Sequence, residues 1–183
     1  IVAKIRETLT KAQEFARKRE DYEKKKAAND PKAGPPPFDA KLEALLPVVK
    51  GELPVVARAH RVDDIRTAFR IADEFKLRLI LSHATEGWKI ADEIARRKVP
   101  VLVGPINTQP DSIETSGATY ENADILFRAG VKIAIQTPDV HNVRNLPYMA
   151  GLAVAYGLPA DAALKAITLN PAEIFGAGDR VGS

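Results

Sequence analysis

The chain has 183 residues, 45% hydrophobic and 28% charged, a composition that suits one ordinary globular domain with its own core. Its 27 basic and 24 acidic residues give a formal net charge of +3, and no RNA-binding or zinc-ribbon motif accompanies this mild excess, so neither nucleic acid nor a membrane is an expected partner. The absence of cysteine excludes disulfides and thiolate chemistry and leaves the compartment open, and no apolar run approaches the roughly 20 residues of a spanning helix.

The first forty residues predict a helix, a loop and the start of a second helix. Apolar residues recur at helical spacing from Ile1 to Ala16, which predicts an amphipathic helix over residues 1–28, with the charge run 17–26 as its solvated end. Residues 29–38 contain three consecutive prolines and form a Pro-rich loop, after which Asp39 can cap a short helix. The chain opens without an initiator methionine and stops just after a turn, so we expect a fragment of a longer protein.

From residue 53 to 183 the pattern alternates between strands and helices. The predicted strands are Leu53–Ala59, Leu77–Leu81, Val99–Val103 and Val131–Ile135. The predicted helices are Asp63–Phe75, Glu86–Arg97, Tyr120–Ala129, Leu146–Tyr156, Ala160–Ile167 and Pro171–Phe175. Alternation of this kind, with nearly continuous apolar strands, predicts an α/β fold with a parallel sheet covered by helices. No predicted strand is followed by a glycine-rich phosphate loop or a GxSxG motif. The sequence therefore does not indicate a nucleotide-binding protein or a serine hydrolase.

All three histidines of the chain lie where predicted strands end. His60 follows the first strand, His83 the second, and Asp139 and His141 the fourth. In a parallel sheet these ends meet at one edge, where ligands bind. Imidazole and carboxylate ligands suit a divalent metal such as zinc, which activates water while a nearby aspartate accepts the proton. A single histidine here is more often a hydrogen-bonding loop residue, and the spacing alone does not separate a metal site from a polar pocket.

Three stretches carry a resemblance to a known family. These stretches are "AHRVDDIRTAFRIADEF", "SHATEGWKIADEIARRKVPVLVGP" and "NLPYMAGLAVAYGLPADAALKAITLNPAEIFGAGDRVGS". They closely resemble the amidohydrolase superfamily, and its imidazolonepropionase-related branch best of all. The most specific stretch is "ALKAITLNPAEIFG" followed by "DRVGS". The resemblance runs from about Leu42 to the end of the chain and, more weakly, over the first helix.

The resemblance implies that the chain is the C-terminal half of a (β/α)8 TIM-type barrel, with residues 53–183 supplying units five to eight. His83 matches the metal-ligating histidine of the sixth strand, and Asp139 matches the eighth-strand aspartate that is both ligand and general base. On the fifth strand relatives read "HAH"; His60 matches the second histidine, whereas Arg58 stands in place of the first. A guanidinium cannot ligate zinc as an imidazole does. The first-strand HxH and the fourth-strand lysine belong to the half that this chain lacks.

Four further residues are candidates for substrate binding. Arg61 and Arg144 could bind a substrate carboxylate, although surface ion pairing explains them equally well. Glu86, like Thr85, matches a polar loop position that faces the site in relatives. His141 completes the set because it follows the same strand as Asp139.

The function expected on these grounds is a metal-dependent hydrolase, with zinc as the metal, that attacks the C–N bond of an amide or cyclic amide. His60, His83 and Asp139 would contact the metal, and the partners would be a small-molecule substrate and the missing N-terminal half of the barrel. The alternative is a non-catalytic relative that binds a ligand or partner at a degenerate metal site. A weaker alternative is a self-standing four-stranded binding domain. Half a barrel exposes two sheet edges, so we expect the fragment alone to be inactive and to form homo-oligomers.

Overall fold

A computed structural model describes residues 1–31, 33–107 and 109–182, which form two compact units, residues 1–55 with 71–78 and residues 56–70 with 79–183. The helices are α1 (Val2–Ala27), α2 (Ala40–Val49), α3 (Val62–Phe75), α4 (Ala91–Arg96), α5 (Asn122–Arg128), α6 (Leu146–Ala155), α7 (Ala160–Ile167) and α8 (Leu169–Ile174). The strands are β1 (Val55–Ala59), β2 (Leu79–His83), β3 (Val101–Val103) and β4 (Ile133–Ile135), and Gly87–Ile90 and Val140–Asn145 are 3-10 helices. Among the described helices, none combines the length and apolarity needed to cross a bilayer.

The first unit is built around α1 and α2, which pack against each other. The side chains that α1 buries recur at intervals of three and four residues, as on one face of a helix: Leu9, Ala12, Phe15 and Ala16. The carboxylate of Asp39 accepts hydrogen bonds from the backbone N–H groups of Lys41 and Leu42, so it caps α2 as the sequence predicts. An ion pair joins Arg19 on α1 to Glu43 on α2.

The second unit contains a four-stranded parallel sheet whose strands follow chain order, β1-β2-β3-β4, as predicted. Leu81 pairs with Val101 in β3, and Val101 pairs with Ile133 in β4, so one row of side chains crosses the three strands. This row faces the large apolar core, which also contains Phe69, Ile94 and Leu126 from the covering helices. The opposite face carries a smaller cluster formed by Ile80, Leu102, Ala134 and Ile174. Side chains alternate between the two faces along each strand, as expected.

All four predicted strands, which start at Leu53, Leu77, Val99 and Val131, begin two residues too early. The last three of these starts have a common cause. The residues before them have left-handed backbone conformations, with φ of 55° at Lys76, 53° at Lys98 and 88° at Gly130. The N–H groups of these three apolar residues then donate to helix carbonyls five residues earlier: Leu77 to Ala72, Val99 to Ile94 and Val131 to Leu126. These bonds are typical of a Schellman end, so the apolar residues close the preceding helix and do not belong to the strand.

Two predicted helices also differ from the observed ones. The predicted helix Glu86–Arg97 is divided into a 3-10 helix and α4, because Ile90 leaves the helical region with φ −133° and ψ 29°. The sequence predicts that the last helix begins at Pro171, where the preceding Asn170 could cap it, but α8 begins at Leu169. The side chain of Asn170 donates to the carbonyl of Ile133 at 2.8 Å instead, which ties α8 to β4.

Candidate functional site

The candidate site lies at the carboxyl ends of β1 and β2. His60 directly follows β1, and His83 is the last residue of β2, two residues beyond the predicted end of that strand. The backbone of His83 and Ala84 is left-handed, with φ of 73° and 44°. A conformation of this kind costs a non-glycine residue about 1–3 kcal/mol and is commonly found at functional sites. The strand end is therefore bent in a way that fixes where the imidazole of His83 points.

The two imidazoles lie next to each other, with ring centroids 4.8 Å apart and ring planes at 55°. His60 Nδ1 is 2.7 Å from the hydroxyl oxygen of Thr85, and the Nε of Arg58 donates to His60 Nε2 at 3.2 Å. Because Nε2 accepts this bond, Nδ1 carries the proton in neutral His60 and donates to Thr85. Both nitrogens of the His60 ring are thus engaged by side chains of this chain.

Around His83, the polar contacts come from the strand ends on either side. The hydroxyl oxygen of Ser82 lies 2.8 Å from His83 Nδ1, and the amide nitrogen of Gln136 lies 3.2 Å from the same atom. Gln136 also donates to the carbonyl of Gly104 at 3.0 Å, so the ends of β2, β3 and β4 are joined. Ser82 can accept the Nδ1 proton of His83 and donate its own to Gln136 Oε1, which lies 3.2 Å away. In that state the lone pair of Nε2 is available to a ligand.

Both histidines have lowered pKa values. Burial is the main cause for His83, and the guanidinium of Arg58 and the ring of His60 add to it, which brings the pKa of His83 to about 4. Burial and then Arg58 also lower the pKa of His60, against the opposing effect of Glu114 and Asp111. Neutral imidazoles are therefore the dominant form at pH 7, and this is the form that binds metal ions.

A cavity of about 270 Å³ opens beside the histidine pair. Its walls are largely apolar, with Val103, Ile106 and Ala123 among them, and its polar contributors include Thr85 and Asn122. The segment 109–120 forms much of one side, and the indole N–H of Trp88 donates to the carbonyl of Gly117 within it at 2.9 Å. A small molecule in this cavity would contact both imidazoles.

Asp139, the predicted general base, lies at the start of the 3-10 helix Val140–Asn145. Its Oδ1 accepts hydrogen bonds from the backbone N–H groups of His141 (2.8 Å) and Asn142 (3.0 Å), so the carboxylate caps this helix. Asp139, His141 and Arg144 are all exposed, and none of the three is among the described residues that line the cavity.

The remaining two predicted substrate-binding residues have different surroundings. Glu86 accepts a hydrogen bond from the backbone N–H of Val62 at 3.0 Å and pairs with Lys89 at 2.6 Å. The bond from Lys89 and then that from Val62 lower the pKa of the Glu86 carboxyl. Its visible role is to cap the start of α3. Arg61 is exposed and follows His60 in the chain. Neither Arg61 nor Glu86 is among the described residues that line the cavity.

The described residues do not form a complete metal site. No group of three or more histidine, aspartate or glutamate side chains in residues 1–31, 33–107 and 109–182 is arranged to hold an ion. Zinc in proteins takes three or four protein ligands. The paired imidazoles of His60 and His83 are suitable as two of them, and Arg58 occupies His60 Nε2. This chain by itself therefore fits at most part of a zinc site.

Sequence reasoning missed three residues of the site, namely Ser82, Gln136 and Asn122. Ser82 and Gln136 continue the alternating row of Ile80 and Ala134 to the strand ends, so a period-two count would have placed them on that face. Asn122 shares a buried helix stripe with Ala123 and Leu126. A lone polar residue on an apolar stripe was the available signal.

Gly104 lies where the strand ends crowd together, and its replacement has a predictable effect. Its φ is 125°, and a Cβ on it would lie 2.6 Å from the carbonyl oxygen of Gln136. Gly104→Ala is therefore expected to destabilise the chain by roughly 2 kcal/mol or more. The matched control is Gly151→Ala within α6, where a Cβ meets nothing within 4 Å; it should stabilise slightly. Thermal unfolding of both variants checks this, and an unchanged melting temperature for Gly104→Ala would contradict it.

Comparison with known proteins gives one curated relative and two solved structures. The chain is 26% identical over 151 residues to amidohydrolase tasK of Hapsidospora irregularis, which covers 80% of this chain and 15% of that protein. It superimposes on an amidohydrolase from Thermotoga maritima MSB8 with a TM-score of 0.87 and 35% identity, over 100% of this chain and 46% of that one. An adenosine deaminase from Xanthomonas campestris with bound zinc matches with a TM-score of 0.51 and 25% identity, over 72% of this chain and 34% of that one. No protein-family model matches the chain.

The chain thus spans less than half the length of each of these three proteins. Four consecutive parallel strands with covering helices, matched to 46% of the Thermotoga chain, are consistent with half of a (β/α)8 barrel. In such a barrel, ligands bind at the carboxyl ends of the strands. The histidine pair and the cavity both lie at this end of the sheet.

Proposed function

The similarities support the amidohydrolase superfamily for this chain, and on that premise we propose that it is the C-terminal half of the catalytic barrel of a metal-dependent hydrolase. The bond attacked is the C–N bond of an amide or cyclic amide, and the chain acts as part of a larger protein. The observation that carries this proposal is the pair His60 and His83, two neutral imidazoles 4.8 Å apart beside a cavity of about 270 Å³.

For the metal we propose zinc, held by His83 and His60 together with ligands from barrel strands outside this chain. When His83 Nδ1 donates to Ser82 Oγ, and Ser82 donates to Gln136 Oε1, Nε2 is available to the ion, an arrangement common for ligating histidines. His60 can contribute only when Arg58 releases its Nε2. Bound in this position, the ion would polarise the scissile carbonyl and lower the pKa of water.

Asp139 is proposed as the general base that takes the proton of the attacking water. Its Oδ1 accepts the two backbone bonds of the helix cap, whereas Oδ2 accepts only the amide of Asn142, at 3.2 Å, among the described contacts. Oδ2 is therefore the oxygen on which a proton can be taken up. Arg61, Arg144 and His141, all exposed, are proposed to contact the substrate, as is Glu86 if Lys89 releases it.

Within the superfamily we propose the imidazolonepropionase-related branch. This finer assignment is supported by the sequence pattern alone, above all by the stretch from Ser82 to Pro105 and the closing stretch from Ala163 to Gly176. The expectation that follows is a preference for cyclic over open-chain amides. A panel of both, assayed with the complete protein, tests the assignment.

The proposal predicts a sharp difference between this chain alone and the complete protein. The 183-residue chain should be inactive and should self-associate, because β1 and β4 lie at the two edges of the described sheet and the other metal ligands are missing. The complete protein should contain zinc, lose amide hydrolysis on chelation and regain it on zinc addition. Metal analysis, light scattering and an amide-hydrolysis assay measure all three. A monomeric 183-residue chain with stoichiometric zinc and unassisted turnover would refute the half-barrel proposal.

A second candidate function, a ligand-binding barrel without catalysis, is favoured by one observation. Arg58 stands where the resemblance to the superfamily implies the first histidine of "HAH". Its guanidinium both occupies His60 Nε2 and places a positive charge beside the pair. A cation is disfavoured next to that charge. In this alternative the complete protein contains no stoichiometric zinc and hydrolyses no amide.

Arg58→His is the variant that separates the two candidates. It frees His60 Nε2, removes the guanidinium charge and adds an imidazole, so zinc affinity is expected to rise about tenfold or more. Arg70→His, an exposed arginine-to-histidine change on α3, serves as the control and should leave zinc affinity unchanged. Zinc titration by calorimetry measures both. A zinc-free wild type with a zinc-binding Arg58→His variant would select the non-catalytic function, whereas equal affinities would show that Arg58 does not limit metal binding.

A further inference from the structure

The side chain of Asn122 presents an unusual acceptor. The residue lines the cavity beside the histidine pair and is 6% exposed. Its Oδ1 has no hydrogen-bond partner, and in residues 1–31, 33–107 and 109–182 it is the sole buried side-chain nitrogen or oxygen for which this holds. Buried polar atoms are nearly always hydrogen-bonded, because a buried polar atom without a hydrogen-bond partner destabilises the folded state. The missing partner of Oδ1 therefore requires an explanation.

The orientation of the Asn122 side-chain amide is determined by its nitrogen, Nδ2. Asn122 Nδ2 donates to the carbonyl oxygen of Ala84 at 3.0 Å, in the bent segment that follows β2. A carbonyl oxygen cannot donate, so the amide cannot be turned around without losing this bond. Oδ1 is accordingly held as a pure acceptor, in a side chain that lines the same cavity as His83.

From these contacts we infer that Asn122 is a specificity-determining residue, and that the cavity binds a small uncharged molecule which donates an N–H or O–H to Oδ1. Walls formed by Val103, Ile106 and Ala123 favour an apolar body over a charged one. A cavity of about 150 Å³ holds benzene, so about 270 Å³ holds a ligand of roughly ten non-hydrogen atoms. A ligand without the donor would leave Oδ1 unmet and would bind more weakly.

This inference rests on the proposed function in one respect only, namely that the ligand of the cavity is taken to be the substrate. It adds to that function the group by which the substrate is selected. The binding property itself can be measured without catalysis, metal or the rest of the barrel, because the cavity, Ala84 and Asn122 all belong to the second unit.

Indole and benzofuran are suitable probes because they share a shape and have nine non-hydrogen atoms each, but only indole has an N–H, and neither contains a hydrolysable amide. Titration of the isotope-labelled chain, followed by NMR, should give indole an affinity at least about fivefold higher than benzofuran, the ratio expected for satisfying one buried acceptor. The side-chain amide resonances of Asn122 should shift with indole. Equal affinities would overturn the inference, because the ligand would then not donate to Oδ1.

Two variants extend the test. Asn122→Leu keeps a similar size without an acceptor and should reduce the indole-to-benzofuran ratio to about one, whereas Thr67→Ala on α3 should keep the wild-type ratio. The wild-type comparison stands even if Asn122→Leu fails to fold. Indole selectivity in a complete protein that hydrolyses no amide would retain the site and reject the proposed function. Amide hydrolysis without indole selectivity would retain the function and reject this site.

Discussion

Replacing His83 with alanine is expected to abolish amide hydrolysis by the complete protein, with a loss of roughly 10³-fold or more. The imidazole is the better oriented of the two, since Ser82 can accept the proton of its Nδ1 and so leave Nε2 for the ion. Loss of a ligand removes several kcal/mol of transition-state stabilisation, and each 1.4 kcal/mol is about a factor of ten in rate. Zinc content should fall together with turnover.

This result can be separated from misfolding because alanine also carries a Cβ, so the left-handed backbone at φ 73° is equally strained in the variant. Ser82→Ala, which removes one contact to Nδ1, should weaken zinc binding about 10–100-fold and serves as a graded comparison. Thr67→Ala, away from the cavity, should preserve both zinc and turnover. Full activity in His83→Ala with bound zinc would remove His83 from the proposed metal site.

The second large effect is expected for Asp139→Asn, which should lower turnover about 10²–10⁴-fold with the same melting temperature. Asparagine caps helices as well as aspartate does, so the bonds from the backbone N–H groups of His141 and Asn142 should persist. What disappears is the ability to accept a proton near neutral pH. Zinc content should decrease less than turnover, because an amide oxygen can still serve as a ligand.

Asp139→Ala is the informative comparison for this residue. It loses the base and the cap together, so turnover should fall as in Asp139→Asn while stability decreases by about 1 kcal/mol. Parallel measurements of the catalytic rate constant and of thermal unfolding separate the two roles. If Asp139→Asn turns over amide at the wild-type rate, the carboxylate is only a helix cap and the general base is another group.

The candidate site shows which of its features can be predicted from the sequence pattern and which cannot. Histidines at consecutive strand ends are visible in the sequence, and the rule that parallel strands share one carboxyl edge brings His60 and His83 together, as observed at 4.8 Å. The same rule places Asp139 at that edge, but it does not reveal that the carboxylate caps a 3-10 helix. Nor does it reveal that Arg58 donates to His60, because such a contact depends on rotamers and not on spacing.

The sequence by itself determined the order of elements, the parallel sheet with β1 to β4 in chain order and the strand ends that carry the histidines, because hydrophobic periodicity and strand-helix alternation are local properties. Only the tertiary structure decided the strand starts, since a Schellman bond such as that from Val99 to Ile94 turns an apolar residue into the end of a helix. It also decided that Asn122, from α5, presents an unmet acceptor beside the histidine pair. The strand starts depend on where each helix ends its backbone bonding, and the acceptor of Asn122 depends on which side chains meet after packing. A pattern of residue types along the chain contains neither.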